Sequence, residues 1–219
     1  MAELRGVIFD LDGVIVDTAQ YHYLAWKRLA AELGYELTPE DNERLKGVSR
    51  MNSLDIILDL AGTTLDADEK QRLSERKNTW FKEYLKEMTP RDIFPGVRPL
   101  IRALRHEGIA VGLASSSKNA AQVLDRLELH DQFDAVIDGT MIARAKPDPE
   151  IFLLTAKRLG LPPSSCVVIE DAAAGVAAAH AAGMKCAGIG AADVLDEADQ
   201  IFHATAMVTL ADLQDLAHR

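Results

Sequence analysis

Cysteine and positive charge are scarce in this chain, and long apolar runs are missing altogether. Its two cysteines, Cys166 and Cys186, stand in separate apolar stretches. That count excludes a disulfide framework or a thiolate metal cluster; buried, reduced thiols in a cytoplasmic protein are expected. Lysine and arginine number 24 against 34 aspartates and glutamates, a formal net charge of −10. Nothing gathers into a basic patch, so neither nucleic acid nor an anionic membrane surface is an expected partner. A phosphorylated ligand stays open, because a few local cations and a metal can outweigh a diffuse negative surface. No run suits a bilayer span, and Met1-Ala2-Glu3-Leu4-Arg5 leads straight into a strand, so no signal peptide is expected either. Gly188-Ile189-Gly190 lacks the third glycine of a dinucleotide loop, Asp193 standing in its place.

What remains is an ordinary globular composition, 48% hydrophobic and 26% charged over 219 residues. The length suits one large domain, or a core with a smaller insert. Leu4 to Phe9 reads as a short buried strand. From Thr18, a plausible N-cap, Tyr21, Leu24, Ala25, Leu29 and Leu33 recur at helical spacing until Gly34. Helical spacing returns at Ser53–Ala61 and Ala67–Lys86, with no convincing strand between. After Thr89-Pro90 the rhythm becomes strand, loop, helix. The expected helices are Val97–His106, Ala120–Leu129, Asp148–Leu159 and Ala173–Ala182. The expected strands are Ile109–Ala114, Phe133–Ile137, Cys166–Ile169 and Met184–Ile189. A last short strand is expected at Ala206–Val208, before a final helix from Leu210. Such alternation predicts an α/β fold, a parallel sheet with helices on both faces. The helical block 18–88 interrupts it and reads as an inserted domain; residues 1–17 and 89–219 form the core.

In parallel α/β sheets ligands sit outside the carboxyl ends of the strands. Asp10 and Asp12 follow the first strand, in Val7-Ile8-Phe9-Asp10-Leu11-Asp12-Gly13-Val14. Ser115, Ser116, Ser117, Lys118 and Asn119 follow the second. Lys146 precedes Pro147, and Glu170 and Asp171 follow the Cys166 strand. Bare carboxylates in an apolar run are costly unless something pairs with them. Three or four carboxylates can hold Mg²⁺ beside phosphate oxygens, serine hydroxyls and N–H groups can donate to phosphate, and Lys146 adds a fixed charge. Asp10 can then attack phosphorus, given a metal to damp the repulsion of two anions. Asp12 can protonate the leaving oxygen and later deprotonate an incoming hydroxyl, a contribution of roughly 10²–10⁴-fold. Taken singly, each of these residues has an ordinary reading: strand-end aspartates, a capped loop, a solvated lysine, acids favouring a helix start.

Four motifs in this order resemble the haloacid dehalogenase (HAD) superfamily, over essentially the whole chain. The resemblance implies a HAD-like Rossmannoid core with an inserted α-helical cap domain. Within the insert, Asp17-Thr18-Ala19-Gln20-Tyr21-His22, Ala25-Trp26, Leu45-Lys46-Gly47-Val48-Ser49-Arg50 and Arg76-Lys77-Asn78 are similar to β-phosphoglucomutases. That family interconverts β-glucose 1-phosphate and glucose 6-phosphate through β-glucose 1,6-bisphosphate. The resemblance implies Asp10 as phosphorylated nucleophile and Asp12 as acid/base. Mg²⁺ would sit on Asp10, the Asp12 carbonyl, Glu170 and Asp171. Ser115, Ser116 and Lys146 would hold the transferring phosphate. Arg50 would take the distal one, with Ser117, Lys118 and Asn119 around it. Thr18, His22, Lys46, Gly47, Ser53 and Lys77 would line the cap side of the sugar, and His22 would help orient Asp12. Ser116 and Ala145 depart from the usual pattern, where relatives often carry Ala and Ser; neither removes a required charge. Met51-Asn52 has no evident role. The partners implied are small sugar phosphates, and a monomer is the default. Two rivals stay open: a capped sugar-phosphate phosphatase using the same site, and a silent binding protein on this fold.

Overall fold

The computed structural model of the chain describes residues 3–45 and 49–219. In chain order the elements are β1 (Gly6–Phe9), α1 (Ala19–Glu32), α2 (Pro39–Glu43), α3 (Arg50–Leu60), α4 (Ala67–Tyr84), α5 (Val97–His106) and β2 (Ala110–Ala114). They continue with α6 (Ala120–Arg126), β3 (Ala135–Ile137), α7 (Glu150–Leu159), β4 (Cys166–Glu170), α8 (Ala173–Ala181), β5 (Lys185–Ile189), β6 (Gln200–Phe202) and α9 (Leu210–His218). The chain divides into two compact units, residues 1–17 with 89–219, and residues 18–88. Among the described residues no helix is long and apolar enough to cross a membrane.

The first unit is a parallel sheet of order β3-β2-β1-β4-β5-β6. β1 lies between β2 and β4, Val7 facing Val111 on one side and Val167 on the other. The chain therefore changes direction across the sheet at β1, and the crevice such a reversal leaves lies at the carboxyl ends of these three strands. β1 and β4 are buried along their whole length, as a parallel sheet covered on both faces requires. α5 buries Val97, Leu100, Ile101 and Leu104, one face at helical spacing. Two strand glycines make room for α7 and for the segment that follows it. A Cβ at Gly112 would lie 2.7 Å from Thr155 Cγ2, and one at Gly6 would lie 2.7 Å from Leu161 Cδ1. Ile151, Phe152 and Ala156 of α7 complete the cluster with Ile8, Ala114, Ile137 and Val168. The cysteines are buried and unpaired on neighbouring strands, and burial pushes the Cys166 thiol up to about 11.

One expected element is wrong. Residues 206–208 are not a strand; a 3₁₀ turn runs Thr205–Met207, closed by Met207 N–H to Ala204 O and Val208 N–H to Thr205 O. The sixth strand is Gln200–Phe202, paired to Ala187–Ile189. The polar run Asp196-Glu197-Ala198-Asp199 just before it hides so short an edge strand. α6 stops at Arg126, three residues early, because Glu128 adopts a left-handed φ of 53°.

The second unit is helical. Thr38 opens α2 with a reciprocal cap: its Oγ1 accepts from Asp41 N–H at 3.1 Å and Asp41 Oδ2 accepts from Thr38 N–H at 3.1 Å. Thr38-Pro39-Glu40-Asp41 is a readable start signal that the apolar periodicity missed. Ser49 caps α3, accepting from Asn52 N–H at 3.2 Å, so α3 begins before Ser53 and Asn52 serves the helix start.

Adding a side chain at the closest strand–helix approach tests this packing. Gly112→Val is expected to destabilise the protein by about 1–3 kcal/mol through overpacking against α7, read as a lower urea midpoint with an unchanged slope.

Candidate active site

At the end of β1 the Asp10 N–H still donates to Ile169 O of β4, 2.9 Å away. The chain then turns sharply. Gly13 adopts a φ of 76°, and a Cβ there would fall 1.9 Å from Asp171 Oδ2. Only glycine lets this turn lie against Asp171 just after β4. Asp10 is buried, and Asp12 is half-buried on the same turn.

Lys146 ties these strand ends together. Its Nζ donates to Asp10 Oδ1 at 2.5 Å, to Glu170 Oε1 at 2.5 Å and to Ala114 O at 3.3 Å. It also stands 5.0 Å from the centre of the Phe152 ring. Burial disfavours the ammonium, but Asp10 and then Glu170 outweigh it, and the Lys146 pKa rises above its ordinary value. Burial raises the Asp10 pKa, Lys146 pulls it back, and Glu170 and Asp171 push it up again. The loop bearing Lys146 is held by Glu150, whose carboxylate accepts from the N–H groups of Ala143 and Arg144 at 3.1 and 3.0 Å. Sequence reasoning passed over both Glu150 and Phe152, since a helix-start acid and an apolar helix residue carry no distinguishing pattern.

Glu170 uses both its oxygens. Oε1 meets Lys146, and Oε2 accepts from Asp171 N–H at 2.7 Å and Ala172 N–H at 2.8 Å. Gly175 of α8 makes room, since a Cβ there would fall 1.9 Å from Oε1. Asp171 has a pKa raised to about 7, first by burial and then by the charges of Glu170 and Asp12. Among the described residues no three His, Cys, Asp or Glu side chains are arranged to hold a metal ion. The donor set nonetheless fits a hard divalent cation. Asp10, Asp12, Glu170 and Asp171 bring four carboxylates against the one Lys146 ammonium, and oxygen is the ligand Mg²⁺ takes. With both Glu170 oxygens engaged by Lys146 and N–H groups, Asp10 and Asp171 are the carboxylates that would offer it side-chain oxygens first.

Beyond β2 the serine loop folds on itself. Ser115 is buried, its N–H donates to Ile137 O, and its Oγ accepts from Ser117 N–H at 3.1 Å. Ser117 Oγ accepts from Asn119 N–H at 3.2 Å. Ser116 and Lys118 are exposed and Asn119 is buried. Gly139 lets the neighbouring loop approach, because a Cβ there would lie 2.2 Å from Ser116 O.

The residues expected from the helical insert form their own cluster. His22 and Trp26 lie one turn apart on α1, as Lys77 and Phe81 do on α4. Lys77 Nζ stands 2.7 Å from His22 Nδ1, the His22 ring stacks on Phe81 at 3.9 Å, and Lys77 lies 4.4 Å from the Trp26 ring centre. An ammonium donating to Nδ1 leaves the imidazole proton on Nε2. Burial, then Lys77 and Arg50, hold His22 well below its ordinary pKa, so the ring is neutral. Ser53 is buried on α3 and Arg50 is half-buried at its start. Thr18 is buried at the head of α1, where its hydroxyl makes no capping bond. Lys46 and Gly47 lie outside the described residues.

A family model described as haloacid dehalogenase-like hydrolase matches residues 4–183. The chain is 44% identical over 214 residues to a β-phosphoglucomutase of Bacillus subtilis, covering 97% of this chain and 95% of that one. It is 35% identical over 185 residues to a phosphorylated carbohydrates phosphatase of Thermotoga maritima, covering 83% of each. The crystal structure of a β-phosphoglucomutase from Clostridium difficile superposes with a TM-score of 0.91 at 40% identity, covering 98% of this chain and 97% of that one.

Burial of Lys77 has a consequence for stability. Its pKa is lowered to about 7, by burial first and by Arg50 second, from an ordinary 10.5. Between those values the unfolded chain binds more protons than the folded one, so this group makes stability rise with pH across that window. The cost is fully present below it. Lys77→Met is therefore expected to raise the urea midpoint most at about pH 6 and little at about pH 10. Equal gains at both would contradict a buried amine of low proton affinity.

Proposed function

The chain belongs to the haloacid dehalogenase-like hydrolase family, and on that footing we propose that it is a β-phosphoglucomutase, interconverting β-glucose 1-phosphate and glucose 6-phosphate. The observation that carries the reading is the buried Lys146 bridge between Asp10 and Glu170 at the carboxyl ends of the central strands. It restrains a carboxylate at the point where a phosphoryl group can be met, beside hydroxyl and N–H donors. Mutase similarity over 97% of the chain, at a higher identity than the phosphatase similarity, favours transfer to sugar over transfer to water.

In this reading an Asp10 oxygen attacks phosphorus and the sugar oxygen leaves, taking a proton from Asp12. The aspartyl phosphate passes its group to the 6-hydroxyl of β-glucose 1-phosphate, whose proton goes to Asp12, giving β-glucose 1,6-bisphosphate; this turns round, and the attack on its C1 phosphate releases glucose 6-phosphate and restores the aspartyl phosphate. Lys146, Ser115 and Ser116 hold the phosphate in transfer. Asp10, the Asp12 carbonyl, Glu170 and Asp171 would hold Mg²⁺. When bound, the metal supplies the positive charge that lets one anion approach another. Arg50 takes the phosphate that is not reacting, with Ser117, Lys118 and Asn119. Thr18, His22, Lys46, Gly47, Ser53 and Lys77 bind the sugar. Transfer to sugar demands a held acceptor and little water, since bulk water at about 55 M would otherwise compete for the aspartyl phosphate. The protein acts on small sugar phosphates, as a cytoplasmic monomer.

Incubation with β-glucose 1-phosphate, Mg²⁺ and a trace of bisphosphate is expected to give glucose 6-phosphate with little free phosphate. Asp10→Asn should lower that turnover by more than about 10³-fold, since the nucleophile is gone. Phosphate as the main product would favour the phosphatase, and undiminished turnover by Asp10→Asn would end the proposal. Arg50→Ala is expected to cut isomerisation about 10²-fold while sparing hydrolysis of a small acyl phosphate that has no second phosphate to bind. Equal losses in both reactions would contradict its assignment.

A further inference from the structure

The turn that carries Asp12 is held from the far end of the chain. Leaving β1, Leu11 O accepts from the N–H groups of Ile15 and Val16 at 2.9 and 3.2 Å, and Gly13 N–H donates to Val16 O at 2.9 Å. Val14 and Ile15 at its tip are fully buried, so their carbonyls must find donors within the protein. Ile15 O accepts from Phe94 N–H at 2.8 Å. Val14 O accepts from the hydroxyl of Thr205 at 2.7 Å, across 191 residues of sequence. Thr205 is itself buried, and its own segment is pinned. A Cβ at Gly96 would lie only 2.4 Å from Ala206 Cα. A cavity of about 500 Å³, lined in part by Gly13, Phe94, Asp171 and Thr205, opens on one side of the turn. The two hydrogen bonds to the Val14 and Ile15 carbonyls therefore add a directional anchor to the packing that buries the tip. Thr205 also lies beyond residues 4–183, the stretch that the family model matches.

We infer that Thr205 is a positioning residue for this site: its hydroxyl fixes the Val14 carbonyl and so sets where the Asp12 carboxyl stands. The inference rests on the proposed acid/base role of Asp12. That carboxyl must lie within hydrogen-bond reach of the leaving oxygen, and a misplacement of about 1 Å can cost on the order of 10²-fold in rate. Only Gly13 separates Asp12 from Val14, so freeing the tip displaces the carboxyl while leaving Asp10, tied to Ile169 and Lys146, in place.

Thr205→Val keeps the shape and removes the donor. It should lower kcat for isomerisation about tenfold with KM changed less than about twofold, and Thr205→Ser should restore most of the loss. Phosphorylation of Asp10 by acetyl phosphate, whose acetate departs without needing a proton, should keep its wild-type rate. In an Asp12→Asn background Thr205→Val should add nothing further. An unchanged kcat, or an equal loss in both reactions, would overturn the inference. Should the valine variant fail to fold, Thr205→Cys retains a weak donor and is expected to fall between Ser and the full loss; wild-type kcat there would equally overturn it. A wild-type enzyme that takes no phosphoryl group from acetyl phosphate would instead sink the proposed function.

Discussion

One ammonium holds this site together. Lys146 reaches two buried carboxylates from different strands, and without it they would face one another, with half-buried Asp12 and Asp171 beside them, across the end of the sheet. Removing one partner of a buried ion pair leaves an uncompensated charge, typically a cost of about 3–5 kcal/mol. The pairing is thus as much a condition for closing β1 against β4 as a feature of the proposed catalysis. Much of the surrounding sequence exists to let it form. Gly175 leaves space for the Glu170 carboxylate, and Glu150 stiffens the loop that delivers the lysine.

The carboxylates are treated unequally, and their environments say why. Glu170 has both oxygens committed to Lys146 and to N–H groups, which fixes it as a support. Asp171 lacks the lysine's direct contact, and burial first, then its negative neighbours, raise its proton affinity. Asp10 stands between these conditions, paired on one oxygen only. A divalent cation would relieve the negative excess where the lysine does not reach. In the helical unit the logic is reversed: Lys77 lies among aromatic rings beside a neutral imidazole, with Arg50 repelling it.

Most of the fold was legible because its signals are local and repeated. The α5 boundaries Val97–His106 follow from apolar spacing, and the burial of β1 and β4 from unbroken apolar runs. The strand-end residues were legible as a set, because Asp10, Ser115, Lys146 and Glu170 each follow or precede a clear element. What stayed hidden depends on contacts distant in sequence or on weak local pattern. Gln200–Phe202 is three residues long behind a polar run, and the Ala206–Val208 segment, though β-like in composition, turns because Ala206 sits against Gly96. Nothing local marks Thr205 as the partner of Val14, or His22 as the partner of Lys77.

The strand order has a consequence for synthesis on the ribosome. β1 precedes the other described strands in the chain and lies mid-sheet, yet its neighbours begin only at Ala110 and Cys166. Val7, Ile8 and Phe9 must therefore wait, apolar and unpaired, while the helical insert and half the chain emerge behind them. A nascent chain in that condition offers a hydrophobic, strand-forming segment to its surroundings. The acidic residues that follow, Asp10 and Asp12, remain hydrated during that interval and keep the waiting segment from being uniformly greasy. Asp10, which later meets the lysine, thus stands with Asp12 where charge works against premature self-association.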